Sequence, residues 1–495
     1  MPCTTLLVGK KASFDGSTMI ARNEDAPSGQ FIPKKFTVVL PSQQPRVYHS
    51  VLSHFTVELP EKPLRYTCMP NALPHRGIWG AAGVNAENVS MTATETIASN
   101  SRVLSGDPLV VYQPAHDGLP ETPGGIGEED MVTLVLPYIH SAREGVLRLG
   151  HLLESLGTYE MNGIAFQDAG EIWWMETIGG HHWIARKLPD DCYAVVPNQL
   201  SMDTFDFSDA FGEQWEHMCS QDLIEFIRVH HLNPAMDPAH PVIQPRRVFG
   251  TQSEKDQRYN TPRAWAVQRY LNPHAGPWDG TDPDYQPTSL TLPFLRKPEW
   301  RISVEDIKRV LSDHYELTPY DPYARRPEGD RPPYRPIGIN RNNFLSVTQI
   351  RPDLPEEIRS IEWIAMGCNI FNALVPLYTN ISSTPHYFSC TAEKVDTDSF
   401  YWANRILAVM GDAHYHVTRA DFLHYQNQLP ALCRAVLLRH DRGYLRLVPE
   451  NPQSFCEQAN REIAVVVQKE TDALLQKVMQ TASENMLCAF SMNDL

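Results

Sequence analysis

The sequence predicts an α+β protein, with antiparallel sheets of clustered strands followed by a helical C-terminal region. Three observations carry this. Short runs rich in Val, Thr and aromatic residues come in groups bounded by Gly, Pro and Asp. Helical periodicity occupies separate stretches between those groups, not a strand-by-strand alternation as in βαβ units. From about residue 395 to the end the pattern is helical.

The first group opens at the N-terminus. Residues 3–9 (CTTLLVG) read as a strand, Lys10 to Gly16 as a turn, and Ser17 to Arg22 as the returning strand. That hairpin brings Arg22 back beside Cys3. Further strands are expected at Val38–Leu40, Tyr66–Cys68 and Val89–Thr96. Residues 129–157 then switch to helical spacing: Leu147, Leu149, Leu152, Leu153 and Leu156 recur two to four apart, and Gly157 suits a helix C-terminus. Strands resume at 163–166, 171–175 and 192–196. Residues 210–235 and 261–272 read as helices. A Pro-, Asp- and Arg-rich excursion fills 273–342, with one helix near 302–314. Strands return at 344–350 and 361–376, and Glu462 to Met479 is the clearest helix of the tail. No repeat or low-complexity tract interrupts this order.

Bulk properties narrow the function classes. The 495 residues are 42% hydrophobic and 21% charged, ordinary globular usage with ample core. With 43 Lys and Arg against 59 Asp and Glu, the formal charge is −16, which argues against nucleic acid and anionic membranes as partners. The nine cysteines (3, 68, 192, 219, 368, 390, 433, 456 and 488) include no CxxC pair and no zinc-type spacing. Scattered thiols in a chain this long fit a reducing cytoplasm. No secretory signal and no transmembrane segment is expected: Leu6-Leu7-Val8 is the longest apolar run before Gly9, and no run reaches 18 residues.

Cys3 is the residue with the most chemistry in it. If Met1 and Pro2 are removed, Cys3 carries both a thiol and the chain's α-amine, whose pKa of about 7.7–8.0 suits a base. Such a residue is its own nucleophile–base pair. The plain alternative is a packing residue at the head of a strand. Arg22 and Asp25, in Ala21-Arg22-Asn23-Glu24-Asp25, end the returning strand. An arginine favours a thiolate and a carboxylate can orient an amine. Alone, the pair reads equally as a surface ion pair.

Taken together, the stretch from Cys3 to Asp25 (CTTLLVGKKASFDGSTMIARNED) is similar almost residue for residue to the dipeptidase A family of N-terminal-nucleophile cysteine peptidases. The resemblance covers roughly residues 3 to 400 and extends to secernins, bile salt hydrolases and penicillin V acylases. It implies a four-layer αββα sandwich with a helical C-terminal extension. It also implies a division into a leader (1–2) removed on maturation, a core (3–394) and the helical region (395–495). By the same resemblance Asn85 (in Gly83-Val84-Asn85) and Asn198 (after Val195-Val196-Pro197) match the family's two asparagines, and Arg263 (in Tyr259-Asn260-Thr261-Pro262-Arg263) its second arginine. Each has a local alternative: turn asparagines, and a solvated residue in a helix first turn capped by Thr261. The implied catalytic set is Cys3, Arg22, Asp25, Asn85, Asn198 and Arg263, with Asn85 and Asn198 as oxyanion donors and Asp25 orienting the amine.

The implied activity is hydrolysis of small peptides of broad specificity by an enzyme freed by autoprocessing. No cofactor or metal is needed, the location is cytoplasmic and a homo-oligomer is expected. Two other readings stand: an amidase on acyl-amino acids, and a secernin-like binding or regulatory protein. Other motifs are weaker. Pro123-Gly124-Gly125-Ile126-Gly127 lacks a P-loop ending and reads as a loop bordering the substrate. His181-His182 would point to opposite faces of a strand, which disfavours a shared metal. Asp203, Asp206 and Asp209 lack the glycine and closing glutamate of a calcium loop. Trp173-Trp174 reads as sheet packing.

Overall fold

The computed structural model describes residues 3–27, 30–327 and 329–487, with the side chains of Pro74 and Thr94 left aside. The expected Met1-Pro2 leader and Cys488 lie outside the described residues.

The strands of the two main sheets are, in chain order, β1 (Cys3–Val8), β2 (Thr18–Asp25), β3 (Ala82–Val84), β4 (Ser90–Thr96), β5 (Asn162–Gln167), β6 (Ile172–Ile178), β7 (His182–Lys187), β8 (Tyr193–Val196), β9 (His217–Cys219), β10 (Leu295–Arg296), β11 (Asn342–Ile350), β12 (Ser360–Met366) and β13 (Val375–Tyr378). One sheet has seven strands in the order β10-β8-β1-β2-β11-β12-β13 and the other six, β9-β7-β6-β5-β4-β3. Every pairing within them is antiparallel. The helices that matter for packing are α1 (Glu128–Val135), α2 (Ala142–Leu156), α3 (Thr261–Leu271), α4 (Val304–Leu311), α5 (Phe400–Ala413), α6 (Tyr415–Leu447) and α7 (Pro452–Glu484).

Alternation along the strands sorts the apolar residues into three cores. Leu7 and Ile20 of the seven-stranded sheet meet Ala165 and Trp174 of the six-stranded one. On the other face of the seven-stranded sheet, Leu6, Val8, Met19 and Ala21 share a core with residues of α3 to α7. On the far face of the six-stranded sheet, Met91, Phe166 and Trp173 pack with Val132 and Leu149 of α1 and α2. The paired tryptophans thus serve two different cores. The tail helices join the second: Val467 and Val478 of α7 are buried with Leu377 and Tyr378 of β13.

The N-terminal hairpin forms as expected, with Gly16 at φ +80° inside its turn, a conformation that favours glycine. Its register pairs Cys3 with Glu24 and Thr5 with Arg22. Other elements differ from expectation for local reasons. The single helix expected over 129–157 is two, because the segment Leu136–Tyr138 tightens into a 3-10 turn around Pro137 and Ser141 caps a new start. Gly157 does end the second, at φ +68°. The expected helix over 210–235 is mostly other structure: β9 crosses it, and only Leu223–Val229 is helical in its second half. The run 361–376 splits into β12 and β13. Strands β3, β7 and β9, each short or polar, were not foreseen. Thr261 is the first residue of α3 and does not cap it; the π-helical turn Asp256–Asn260 runs directly into that helix. The loop Gly124–Gly127 is buried, with Ile126 bridging Thr158.

Candidate active site

Strands β1 and β2 lie at the centre of the seven-stranded sheet, so both their faces are covered. Cys3, Thr5, Arg22 and Glu24 share the face turned to the six-stranded sheet. Thr4, Asn23 and Asp25 share the opposite face. The two faces hold different chemistry.

On the inner face, Arg22 is the hub. Its Nη2 donates to Cys3 Sγ at 3.2 Å and to Glu128 Oε1 at 2.5 Å. Its Nη1 donates to the Ala93 carbonyl at 2.9 Å and stands 3.9 Å from Glu24 Oε2. Lys34 Nζ reaches Glu24 Oε1 at 3.0 Å. Glu95 enters from β4, accepting from Thr5 Oγ1 through Oε2 at 2.9 Å. A bulge between Ala93 and Glu95 lets it face this layer although Ala93 packs in the outer core. Arg22, Glu24, Lys34, Glu95, Glu128 and Cys3 are all fully buried.

In the plane of the sheet, β8 pairs Thr5 with Val196, and continuing that register sets Asn198 opposite Cys3. Asn198 Oδ1 accepts from Cys3 N at 3.0 Å, and its Nδ2 donates to the Thr96 carbonyl at 2.9 Å. On the outer face, Arg263 in the first turn of α3 uses all five of its N–H donors. Nε reaches the Tyr259 carbonyl, Nη1 the Cys3 carbonyl and Thr4 Oγ1, and Nη2 Asn198 Oδ1 and Asn260 Oδ1. Asp25 lies on this face too. Its carboxylate accepts from Arg335 Nη2 and from Asn342 Nδ2.

Of the residues singled out from sequence, the structure brings Cys3, Arg22, Asn198 and Arg263 into one bonded group. Asp25 is adjacent, yet both its oxygens are held by Arg335 and Asn342, and no hydrogen bond among the described residues joins it to Cys3. Asn85 is not brought to the group. It sits in the β3–β4 turn, where its amide donates to the Leu136 and Ile139 carbonyls at 2.9 and 2.7 Å and its Oδ1 accepts from the Glu87 and Val89 amides. Both amide hydrogens are therefore committed to the fold. Sequence reasoning missed Glu95, Glu128, Lys34, Arg335 and Asn342. The available signal was a glutamate inside a Thr- and Ala-rich strand, and the acidic triplet Glu128-Glu129-Asp130.

Electrostatics define what the group can do. Burial pushes the Cys3 thiol up to about 12 despite Arg22, with Glu95 and Glu128 adding to the rise. The thiol is thus held protonated at neutral pH and would need a base to act as a nucleophile. Burial works against the Arg22 charge, but Cys3, Glu128 and Glu24 outweigh it and raise its pKa. Burial, with Arg335 nearby, lowers Arg263 to about 10. Burial raises Glu95 to about 8, against the pull of Arg263 and Arg22.

Outside this group, His181 and His182 do not diverge. His181 precedes β7 in the turn, and both Nδ1 atoms bond Asp107, at 2.9 and 2.8 Å. Asp209 accepts backbone amides of Trp215, Glu216 and His217, which ties a loop together. No group of three or more His, Cys, Asp or Glu residues set to hold a metal occurs among the described residues. None of the described cysteines is in a disulfide. No helix among the described residues is long and apolar enough to cross a membrane.

The model of peptidase family C69 matches residues 2–428. Over 533 aligned residues the chain is 48% identical to a dipeptidase of Bifidobacterium longum (strain NCC 2705), with 100% of each chain covered. It is 48% identical to a probable dipeptidase A of Streptococcus pyogenes serotype M18 (strain MGAS8232), covering 99% of this chain and 98% of that one. It is 43% identical to dipeptidase A of Lactobacillus helveticus, covering 99% of each.

Proposed function

The chain belongs to peptidase family C69, and from that premise we propose that it is a cysteine dipeptidase of broad specificity, with Cys3 as an N-terminal nucleophile exposed by loss of Met1 and Pro2. The dipeptidase names of full-length relatives support the substrate class. The observation that carries the mechanism is the convergence of Arg22, Asn198 and Arg263 on the three polar atoms of Cys3: Sγ, N and the carbonyl O. The three cores fit the four-layer αββα sandwich of N-terminal-nucleophile hydrolases, with the region from 395 onward added to one layer.

In this reading Cys3 Sγ attacks the scissile carbonyl carbon while its proton passes to the Cys3 α-amine. The amine hands that proton to the leaving nitrogen as the C–N bond breaks. Water then hydrolyses the thioester and restores the thiol. Arg22 steadies the developing thiolate. Asn198 holds the amine and offers its amide to the oxyanion. Arg263 fixes the Cys3 carbonyl and Asn198 together, which sets their mutual geometry. Asp25 positions Arg335 and Asn342 behind the strand, and Asn85 acts through the β3–β4 turn. No cofactor enters any step. A cytoplasmic location goes with this reading.

Cys3→Ala in purified protein with a verified N-terminus tests it. A loss of dipeptide hydrolysis of at least about 10⁴-fold is expected. Retained hydrolysis would sink the mechanism. Comparing a dipeptide panel with glycocholate and penicillin V separates the amidase alternative.

A further inference from the structure

When Glu95 is ionised, the inner face carries more negative than positive charge. Glu24, Glu95 and Glu128 face Arg22 and Lys34, and all five are fully buried. Glu24 has Lys34 at 3.0 Å, and Glu128 has Arg22 at 2.5 Å. Glu95 has no cation within 4.0 Å among the described residues, and its Oε1 is buried with no hydrogen-bond partner. A buried carboxylate oxygen left this way is costly unless a cation joins it.

Its position suits one particular cation. Glu95 is tied by Oε2 to Thr5, two residues from Cys3 on the same strand face, a separation of about 7 Å. In a substrate carbonyl poised about 3–3.5 Å from Sγ, the α-amine of the same residue lies about 2.5 Å from the carbonyl carbon. Adding a charge-assisted hydrogen bond of about 2.8 Å sets the matching carboxylate oxygen roughly 5–9 Å from Sγ. The Thr5 anchor, about 7 Å along the strand from Cys3, puts Glu95 close to that range.

We propose that Glu95 binds the free α-ammonium group of the substrate residue whose carbonyl is attacked, so the enzyme selects peptides with an unblocked N-terminus. This deepens the dipeptidase reading and rests on it. The ammonium supplies the cation that the inner face lacks, and its hydrogen bond occupies Oε1. An N-acylated substrate brings a neutral group to the same place and leaves that oxygen unpaired. Glu95 is thus a specificity residue, and the preference it imposes opposes acyl-amino acids as substrates.

The test compares alanyl-leucine, N-acetylalanyl-leucine and lactyl-leucine, in which a hydroxyl replaces the amine. In the wild-type protein, kcat/KM is expected to fall at least about 100-fold for both amine-free analogues. In E95Q the KM for alanyl-leucine rises and the preference over N-acetylalanyl-leucine collapses to within about 10-fold, whereas a merely structural role would lower all three rates together. Equal wild-type rates on alanyl-leucine and lactyl-leucine would overturn the proposal without any variant. So would a preference that survives in E95Q. Failure of the wild-type protein on every dipeptide would instead remove the dipeptidase reading beneath it.

Discussion

The two faces of the β1–β2 hairpin are equally buried and oppositely finished. The outer face is saturated at Arg263 and Asp25: Arg263 spends five donors on five acceptors and both oxygens of Asp25 are bonded, while only Arg335 Nε and Nη1, behind Asp25, have no hydrogen-bond partner among the described residues. The inner face is unfinished: Arg22 Nε, Glu24 Oε2 and Glu95 Oε1 have no hydrogen-bond partner. A saturated network holds geometry, because every alternative arrangement loses a bond. An unfinished one is where an incoming polar group can be accommodated. One hairpin therefore carries a closely bonded network on one side and, on the dipeptidase reading, the reacting and ligand-accepting groups on the other.

The largest effect that would break this contrast is on the saturated side. Arg263→Met removes the guanidinium donors from Thr4 Oγ1 and Asn260 Oδ1 and one donor each from the Cys3 carbonyl and Asn198 Oδ1. Denaturant titration should show a loss of at least about 3 kcal/mol, and any folded fraction should have lost hydrolysis. A stable, active variant would mean the outer face is not a scaffold. Next comes Asn85→Ala, which removes two amide donors that anchor the β3–β4 turn. Stability should fall by about 1–3 kcal/mol with kcat/KM little changed; the reverse pattern would return Asn85 to the oxyanion.

The smallest effect sharpens the contrast from the unfinished side. The folded-state pKa of Glu95 is raised to about 8 from an ordinary 4.5. The folded chain therefore holds this proton more tightly than the unfolded chain does. The stability linked to it is fully present below pH 4.5 and is lost as pH rises through 8. In E95Q that loss is absent. Melting curves without substrate should coincide with wild type at low pH and show the variant the more stable of the two at pH 9. A variant less stable at every pH would mean the carboxylate already has a partner in the fold.

Much of the hairpin was legible because its signals are local: a Val/Leu/Thr run, a glycine turn and a return. Asn198 and Arg263 were legible only through family resemblance, since a turn asparagine and a helix-start arginine look alike wherever they occur. Asn85 shows the same limit from the other side, because a Gly-Val-Asn turn reads identically near a thiol or far from it. Glu95 was hidden by the bulge beside it, which shifts the period-two pattern by one and turns an apparently outward glutamate inward. Pro137 was visible in the sequence but outvoted by the leucine spacing that follows it from Leu147 to Leu156. Arg335 and Asn342 sit in the Pro- and Arg-rich excursion, where no periodicity links them to a strand three hundred residues earlier.

That separation has a consequence in time. Cys3 is made about 340 residues before Asn342, and only when Asn342 has been translated does β2 gain its neighbour β11 and Asp25 its two partners. At about 5–20 residues per second, the thiol leaves the ribosome roughly 15–70 s before the strand that locks its hairpin in place. On the dipeptidase reading, the nascent chain carries the candidate nucleophile well before it carries the strand that fixes its hairpin.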